Sequence, residues 1–544
     1  MVHDADGLLL GCYERPGEEE SRSVRDDTLL VGDGRIYGAV AGSLVAPIAG
    51  PGSGWELAHE VLLREGPTGL AGIAGDYAIS LHDRRAGRVV LARDAFGLRP
   101  LFWARRGSRI GFSCEPEFLI DLGLASGELS RPVLTAYLAR RDLVDRRTAF
   151  EGVWAIRPGW WLTFDSKGWM SQGRWFRPED VEERPWRLDD AAEAVAQVLA
   201  EAVGSRLRGR TGAIGLSGGR DSGAVAVAAR RAGESVVCLT QRFDADLGLS
   251  EEAAARRLAR DQGHEWRAVP VSSRPRRADV EALPEIFGTP TAPPAFPLSL
   301  SLVQAAVDAG AQTYLDGMGG EPLFSAPPVV VLDLIRRGRF QAAIVAARNY
   351  QRLWTYPYPM HLKAAVRALM PRPVLAIRER HRPVAPWVGE PVPRGIDPVT
   401  APRSARAHLI SALLRVGGPV EDAIARPFAH QGIEYTHPLL DLRVVSLALS
   451  LPAALRAPVP GPKPVLAADL LTSFDSDRIK MTFPAYFQRL ARGLQGDHAD
   501  MFGPATASVR AGLVRPGGLR DVASSRWAWA SLALVPVEMW LRFR

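Results

Sequence analysis

The sequence predicts a two-domain α/β protein: a β-rich N-terminal domain of residues 1–180 and a C-terminal domain of residues 186–544 with a parallel sheet and many helices. Its 544 residues exceed what one hydrophobic core usually serves. Short apolar runs separated by turn residues fill the first part, whereas strand and helix patterns alternate in the second. A charged, proline-marked stretch at 177–185 predicts the linker between them.

In the N-terminal domain, strands are predicted where apolar runs are bounded by Gly, Asp and Arg, as in Tyr77–Leu81 and Arg88–Ala92. A group of tryptophans closes this region, and packing in the core and at sheet edges is its simplest interpretation. The group comprises Trp154, Trp160, Trp161, Trp169 and Trp175.

The C-terminal domain begins with alternating helix and strand signals. Apolar residues at helical spacing predict a helix through Val195–Val203, and strands are predicted at 213–216 and 236–239. Ser250 is the expected N-cap of a further helix. Strands that alternate with helices in this way predict right-handed βαβ units and a parallel sheet. Beyond about residue 325 the pattern is mainly helical.

The composition excludes several classes of protein. The formal net charge is +7, but the arginines are spread along the chain without a basic block, so nucleic-acid binding is not expected. No run of about 18 apolar residues suits a membrane span. The first residues lack a secretory signal, and Cys12, Cys114 and Cys238 are too scattered for a disulfide framework. We therefore expect a cytoplasmic protein.

The strongest chemical signal is the segment 217–222, which reads SGGRDS. It lies between a predicted strand and a predicted helix, where backbone N–H groups and the helix N-terminus favour an anion. Its two glycines allow phosphate to approach the backbone, and its two serines add hydroxyl donors. Asp221 would repel phosphate unless a cation lay between them, which indicates Mg²⁺. No GxxxxGK[ST] pattern occurs, so a Walker-type NTPase is disfavoured.

This segment resembles the SGGxDS pyrophosphate loop of ATP pyrophosphatases, which cleave ATP between its α and β phosphates. Residues 315–324 read LDGMGGEPLF and are similar to the SGxGxDExF segment of the class B asparagine synthetase superfamily. The resemblance implies ATP and Mg²⁺, with Asp221 and Glu321 as metal ligands, although the family has Asp where Glu321 stands. The residues it implies for ATP binding are Leu216, Ser217, Gly218, Gly219, Asp221, Ser222, Leu239, Gly317 and Lys463.

Two further segments match the same superfamily. Residues 434–441 read EYTHPLLD and resemble its ExRxPFLD motif. Lys463 and the segment 477–483, DRIKMTF, resemble Kxx(L)R…RxKxxF, although the arginine expected soon after Lys463 is missing. The resemblance implies that Arg478 and Lys480 are catalytic, with Lys480 stabilising negative charge in the transition states. The chain has only four lysines, so their presence at two motif positions is unlikely to be chance.

The N-terminal domain is similar to the superfamily's glutamine amidotransferase domain, which implies an Ntn-type sandwich. The similarity lies in GDYA at 75–78, ARDAFGLRPL at 92–101 and FSCE at 112–115. Glutaminases of this type use the thiolate of a cysteine at position 2 to attack the glutamine amide. This chain has Val2 there, so we expect an inactive glutamine amidotransferase-like domain.

Without ammonia from glutamine, the amine comes most economically from the substrate itself. Two branches of the superfamily do this: β-lactam synthetases, and lasso-peptide cyclases that join a peptide's N-terminal amine to an Asp or Glu side chain. β-Lactam-forming relatives place at the position of Met318 a Tyr that is paired with a Glu, and methionine cannot relay a proton. Glu421 is a candidate for that catalytic Glu, although an exposed helix-start acid is the simpler interpretation. We therefore expect a macrolactam synthetase that adenylates a peptide carboxyl group.

The alternatives are a small-molecule amide or β-lactam synthetase and a non-catalytic scaffold subunit. For the cyclase, the resemblance implies a peptide substrate, a leader-binding protein and a leader protease as partners. A peptide must be enclosed while its ring closes, so we expect a cavity wall in the segment 325–430. The aromatic residues that pack either on the peptide or in the core there are Trp354, Tyr356, Tyr358 and Trp387.

Overall fold

The computed structural model describes residues 2–5, 8–11, 22–25, 27–41, 44–47, 53–141, 147–165, 168, 170–243, 251–353, 360–380, 384–391, 402–459, 461–471, 484–516 and 528–543. None of the helices within these ranges is long and apolar enough to cross a membrane. The residues singled out above that lie outside the described ranges are Cys12, Trp169, Ser250, Trp354, Tyr356, Tyr358, Arg478 and Lys480.

The N-terminal region is built mainly from strands, as its sequence predicts. The strands are β1 Val2–Ala5, β2 Leu8–Gly11, β3 Arg22–Arg25, β4 Thr28–Ala41, β5 Leu44–Pro47, β6 Ile73–Asp83, β7 Arg88–Arg93, β8 Phe102–Arg106, β9 Arg109–Ser113, β10 Val153–Ala155, β11 Trp160–Asp165 and β12 Met170–Arg174. The helices are α1 Ser53–Glu65, α2 Pro116–Asp121 and α3 Arg131–Leu138, with 3-10 turns at Gly66–Gly72 and Pro178–Asp180.

Two sheets of this region pack face to face. The larger has seven strands in the order β12-β11-β7-β6-β4-β3, with β5 also paired to β4, and the smaller is β10-β8-β9. Alternation along β6 assigns its residues to opposite faces: Tyr77, Ile79 and Leu81 join one buried cluster, whereas Ala78 joins another. The second cluster also holds Leu101 beside β8, so it fills the space between the sheets. The predicted β-rich sandwich is confirmed.

The C-terminal region contains a parallel sheet surrounded by helices. The strands are β13 Gly212–Gly215, β14 Val236–Arg242, β15 Glu265–Pro270, β16 Thr313–Leu315 and β17 Glu434–Thr436. The helices are α4 Leu188–Leu207, α5 Arg220–Arg231, α6 Glu252–Asp261, α7 Arg277–Glu281, α8 Leu283–Phe287, α9 Phe296–Asp308, α10 Gly320–Phe324, α11 Val330–Arg336, α12 Phe340–Leu353, α13 Met360–Leu369, α14 Arg372–Arg380, α15 Ala405–Leu413, α16 Pro419–His430, α17 Leu442–Ser450, α18 Ala453–Arg456, α19 Pro464–Ala468, α20 Pro484–Asp497, α21 Ala507–Arg510, α22 Ala528–Ser531 and α23 Leu534–Phe543, with 3-10 turns at Pro438–Leu440 and Ala499–Met501.

The five strands run in the order β15-β14-β13-β16-β17, and every pairing between them is parallel. The predicted parallel sheet is therefore confirmed. Because the strands are parallel, their carboxyl ends lie at one edge, where open α/β sheets bind their ligands. The motif at 217–222 follows β13, and the motifs at 315–324 and 434–441 begin within β16 and β17 and continue past their carboxyl ends, so all three reach that edge.

Two expectations about the C-terminal region need correction. The N-cap of α6 is Glu251 and not Ser250, because the helix begins at Glu252, and the Glu251 carbonyl accepts the first helical hydrogen bond from Ala255 at 3.0 Å. Trp387 does not line a peptide cavity. Its side chain is 0% exposed and belongs to a core cluster that contains residues of both domains.

A buried ion-pair network joins the two domains. Arg206 of α4 donates to Asp76 of β6 at 2.7 Å and to Asp441 at 2.6 Å, and its Nε donates to Thr436 at 2.8 Å. These charged side chains are almost completely buried. Burial opposes the charge on Asp441, but the nearby guanidinium groups outweigh it and hold the pKa of this carboxyl group well below its usual range. The network therefore fixes β6 against the end of β17.

Candidate active site

The loop between β13 and α5 is held by its own serines. Ser217 N–H donates to Ser222 Oγ at 3.2 Å, and Gly219 N–H donates to Ser217 Oγ at 3.3 Å. The start of the loop is fixed by Leu216, whose N–H donates to the Leu239 carbonyl at 2.8 Å. The loop leads directly into α5, so the positive end of that helix points toward the space above it.

Glycines allow neighbouring segments to pack closely against the loop. Gly218 has φ +74°, and a Cβ there would lie 2.8 Å from the Glu251 carbonyl oxygen at the start of α6. A Cβ on Gly317 would lie 2.5 Å from Ser222 N, so this part of the second motif touches the loop backbone. By contrast, a Cβ on Gly219 would meet only one atom within 4 Å, the Ser217 Oγ. The space beside Gly219 is therefore open enough for a phosphate group to approach the backbone.

Three charged residues from three separate motifs meet beside this loop. The ammonium group of Lys463 lies 2.5 Å from each Asp221 oxygen and 2.9 Å from Glu321 Oε2. The Lys463 side chain is 8% exposed and that of Asp221 16% exposed. Lys463 also has φ +50°, an unfavourable left-handed conformation for a residue with a side chain. The fold thus holds this lysine between the two carboxylates predicted as metal ligands.

The carboxylates of Asp221 and Glu321 fit a magnesium ion. Both reach the same ammonium group, so their oxygens are close enough to share one cation. Mg²⁺ is commonly held by one or two protein carboxylates together with phosphate and water oxygens. No group of three or more His, Cys, Asp or Glu side chains suited to a metal occurs among the described residues.

A second polar cluster lies next to the loop and was not found by sequence reasoning. Asp316, at the end of β16, accepts a hydrogen bond from the Tyr435 hydroxyl at 2.9 Å, and its other oxygen lies 2.7 Å from His437 Nδ1. Burial favours the neutral form of Asp316, but His437 and the hydrogen bonds outweigh it and lower the pKa of this carboxyl group. The available signal was Asp316 itself, which stands where the SGxGxDExF pattern has Ser.

Glu421 lies in the first turn of α16 and is half-buried, so it is not the exposed helix-start acid that was the simpler interpretation. Its charge contributes to raising the pKa of Tyr435, after burial and the nearby Asp316. The neighbouring Asp422 forms an ion pair with Arg93 of β7 at 2.5 Å. Burial raises the pKa of Asp422 to about 7 against the effect of that guanidinium group. The start of α16 thus links the N-terminal domain to the second polar cluster.

The remaining predicted site residues have different positions. The side chain of Leu239 is 1% exposed and packs in the core, so only its backbone contacts the loop through Leu216. Met318 contacts the second polar cluster through its backbone: its N–H donates to Asp316 at 2.9 Å. Arg478 and Lys480 lie outside the described residues, and their catalytic roles stay predictions.

Comparisons with known proteins agree with this two-domain arrangement. The glutamine amidotransferase domain family matches residues 53–176, and the asparagine synthase family matches residues 194–542. The protein is thus of the class in which an amidotransferase-like domain precedes a synthase domain. Because the second match covers more than half of the chain, the protein belongs to the asparagine synthase family.

Three named relatives are between 25% and 29% identical in sequence to the chain over the aligned residues. The chain is 27% identical over 295 residues to "Amidase chry2" of Gibberella zeae, covering 47% of this chain and 40% of that protein. It is 25% identical over 294 residues to "Amidase chyE" of Penicillium rubens, covering 49% of this chain and 42% of that protein. It is 29% identical over 267 residues to a "Putative asparagine synthetase [glutamine-hydrolyzing]" of Mycobacterium tuberculosis, covering 47% of this chain and 40% of that protein. The chain thus matches about two fifths of the length of these relatives.

Proposed function

We propose that this protein is an ATP- and Mg²⁺-dependent macrolactam synthetase of the lasso-cyclase type, which joins the N-terminal amine of a ribosomal peptide to an Asp or Glu side chain of the same peptide. The observation that carries the proposal is the convergence of Asp221, Glu321 and Lys463 beside the open glycine loop. A non-catalytic scaffold would not require a lysine held with unfavourable backbone geometry between two carboxylates.

In the first step, the peptide carboxylate attacks the α-phosphorus of ATP, which forms an acyl-adenylate and releases pyrophosphate. To the N–H groups at the start of α5 and to the hydroxyls of Ser217 and Ser222, which bond to one another within the loop, we assign the binding of the departing pyrophosphate. Mg²⁺ held by Asp221 and Glu321 would neutralise phosphate charge. Lys463 already contacts both carboxylates and would keep them oriented toward the phosphates.

In the second step, the amine attacks the activated carbonyl and displaces AMP. An α-amino group titrates near pH 7.7–8.0, so a useful fraction is already neutral near physiological pH and a strong base is not required. Asp316 of the second polar cluster directly precedes Gly317, which packs against the loop at Ser222. We assign to the members of this cluster, Asp316, Tyr435 and His437, the role of orienting the nucleophile or accepting its proton.

Two features favour an internal peptide amine over a small-molecule reaction. Met318 stands where β-lactam-forming relatives have a Tyr, and it cannot relay a proton. A cavity with a volume of about 620 Å³ also lies between the two domains, and Glu421 is among its lining residues. This volume exceeds the space that a free amino acid needs. A small-molecule amide synthetase is the second candidate function, because one relative is named a putative asparagine synthetase.

The test is mass spectrometry of a leader-free peptide with a free N-terminal amine and an Asp or Glu several residues along. We expect loss of one water from the peptide, with AMP and pyrophosphate formed in equal amounts. An N-acetylated copy of the same peptide should form the adenylate but no ring. AMP release with only a free amino acid or a small β-amino acid would refute the macrocyclase. The leader-binding protein and leader protease belong to the same proposal and can be added separately to the assay.

A further inference from the structure

Helices α12 and α13 bury small apolar side chains. Ala343 and Ala346 of α12 and Ala368 of α13 are at most 4% exposed. They belong to one buried cluster together with residues of α11 and α18, such as Leu334 and Ala453. The side of each helix that faces the protein is therefore lined largely by alanine.

The large apolar side chains of the same region lie in solvent instead. On α13, Leu362, Val366 and Leu369 are between 49% and 63% exposed. Their spacing of four and three residues places them on one side of the helix, turned away from Ala364 and Ala368, which pack in the core. The other large apolar side chains of α12 and α14 that are at least 37% exposed are Phe340, Ile344, Val345, Val374 and Ile377.

These eight side chains are here called the apolar face. Helix α12 packs against α13, and only Met370 and Pro371 separate α13 from α14, so the three helices are neighbours. Folding stability alone favours the opposite arrangement, in which large apolar side chains are buried and small ones lie at the surface. A group of exposed apolar side chains on adjacent elements is typical of an interaction surface.

The surroundings of the apolar face are strongly basic. Residues 340–380 contain seven lysine and arginine residues and only one acidic residue, in a chain with a total formal charge of +7. Arg348, Lys363 and Arg378 are exposed, and in the part of the chain that the structure describes they form no ion pair. Arg348 lies one helical turn after Ile344 of the apolar face. Cationic groups thus border the exposed aliphatic groups.

We propose that the apolar face and its bordering cations bind the surface of a membrane that contains anionic lipids. Aliphatic side chains next to lysine and arginine are typical of helices that lie in the plane of the lipid–water interface. The long cationic side chains can reach the lipid phosphates while the aliphatic groups enter the boundary of the acyl chains. This inference does not depend on the peptide substrate, so its failure would leave the proposed function unaffected.

Two other occupants of this surface fit less well. A second copy of the chain would bring one basic surface against another, and like charges across a contact are unfavourable. An acidic protein would neutralise the cations, but protein interfaces obtain most of their binding energy from aromatic and arginine anchors in well-packed pockets. Seven of the eight side chains of the apolar face are aliphatic. A lipid surface needs no matching pocket and accommodates aliphatic groups at any spacing.

Binding can be measured by cosedimentation of the full chain with sucrose-loaded vesicles, without ATP and without turnover. One set of vesicles contains phosphatidylcholine and phosphatidylglycerol at three to one, and the matched set contains phosphatidylcholine alone. We expect the protein to bind the anionic vesicles and not the neutral ones, and the bound fraction to fall as salt is raised.

Variants separate the apolar and the charged contributions. Leu362→Gln combined with Leu369→Gln should weaken binding to anionic vesicles at least tenfold, because two aliphatic groups no longer enter the bilayer. Lys363→Gln combined with Arg378→Gln should weaken it about fivefold for each charge. All four side chains are exposed, so both double variants should keep the melting temperature of the parent.

Matched controls lie elsewhere in the chain. Val24→Gln removes an exposed apolar side chain of the N-terminal domain, and Arg260→Gln removes an exposed charge outside residues 340–380. Both should bind anionic vesicles like the parent.

Three results would overturn the inference. The first is equal binding to anionic and neutral vesicles, or binding to neither. The second is a double variant with the parent's affinity for anionic vesicles. The third is an absence of vesicle binding combined with self-association, or with binding of the leader-binding protein, that the leucine substitutions abolish, because the apolar face would then be a protein interface.

Discussion

The close contact between Gly317 and the loop allows a single methyl group to test the candidate active site. In Gly317→Ala the new Cβ would lie 2.5 Å from Ser222 N and 2.8 Å from the Asp221 carbonyl carbon. Both atoms belong to backbone that cannot rotate away as a side chain can. Because Gly317 has no positive φ, alanine causes no strain of its own, and the effect arises only from displacement of the loop.

The size of the effect follows from that distance. Ordinary van der Waals contact begins near 3.4 Å, so the two segments must separate by about 0.9 Å. A displacement of about 1 Å in a positioning group can cost about 10²-fold in rate. The overpacking should lower the free energy of unfolding by only about 1–3 kcal/mol. We therefore expect a folded protein with adenylation reduced about 10²-fold.

The assay is exchange of radiolabelled pyrophosphate into ATP in the presence of the peptide substrate. The matched control is Gly496→Ala in α20, where an added Cβ meets nothing within 4 Å, so exchange should stay at the parent rate. Circular dichroism checks that both variants fold. A Gly317→Ala protein that exchanges within a few-fold of the parent would show that the loop does not bind the phosphates.

Four further predictions follow from described contacts. Asp221→Asn should fold but lose about 10²–10³-fold in product formation measured by mass spectrometry. Lys463→Arg places a larger planar group in a side-chain site that is 8% exposed, so pyrophosphate exchange should fall about 10²-fold. Arg206→Ala leaves two buried carboxylates without their shared partner and should lower the free energy of unfolding by about 3–5 kcal/mol in urea denaturation. Burial raises the pKa of Asp422 to about 7. The contribution of the protonated carboxyl group to stability is therefore fully present below about pH 4 and is lost as the pH rises toward 7. Because asparagine does not titrate, Asp422→Asn should reduce the fall in melting temperature between about pH 5 and pH 8.

Features encoded within short segments were predictable from the sequence. The loop at 217–222, between a strand and a helix, and the parallel strands around it agree with the structure. In each case, local pattern and motif spacing carry the information, because the strand, the loop and the helix follow one another in the chain. The β-rich N-terminal domain was predictable for the same reason.

Features that depend on the pairing of distant segments were not predictable. Asp316 and His437 meet only because β16 and β17 lie side by side with Leu315 opposite Thr436. Trp387 shows the same limit, since an aromatic residue in a helical region is compatible with a cavity wall or a core, and only the packing decides. The strained backbone of Arg140 likewise has no sequence signal, because arginine rarely adopts positive φ.

Buried ion pairs tie the amidotransferase-like domain to the synthase domain, whether or not it hydrolyses glutamine. Glu434 of β17 is buried and forms an ion pair with Arg99 of the N-terminal domain at 2.9 Å. Arg206 of the synthase domain likewise forms a buried ion pair with Asp76 of the N-terminal domain, at 2.7 Å. Burial opposes the charge on Glu434, but the surrounding guanidinium groups outweigh it and lower the pKa of its carboxyl group. Without the N-terminal domain, Glu434 and Arg206 would lose these partners beside β17, the strand that contains Tyr435 and leads into His437. The domain junction and the candidate active site are therefore parts of one electrostatic arrangement, in which loss of the first domain would disturb the second.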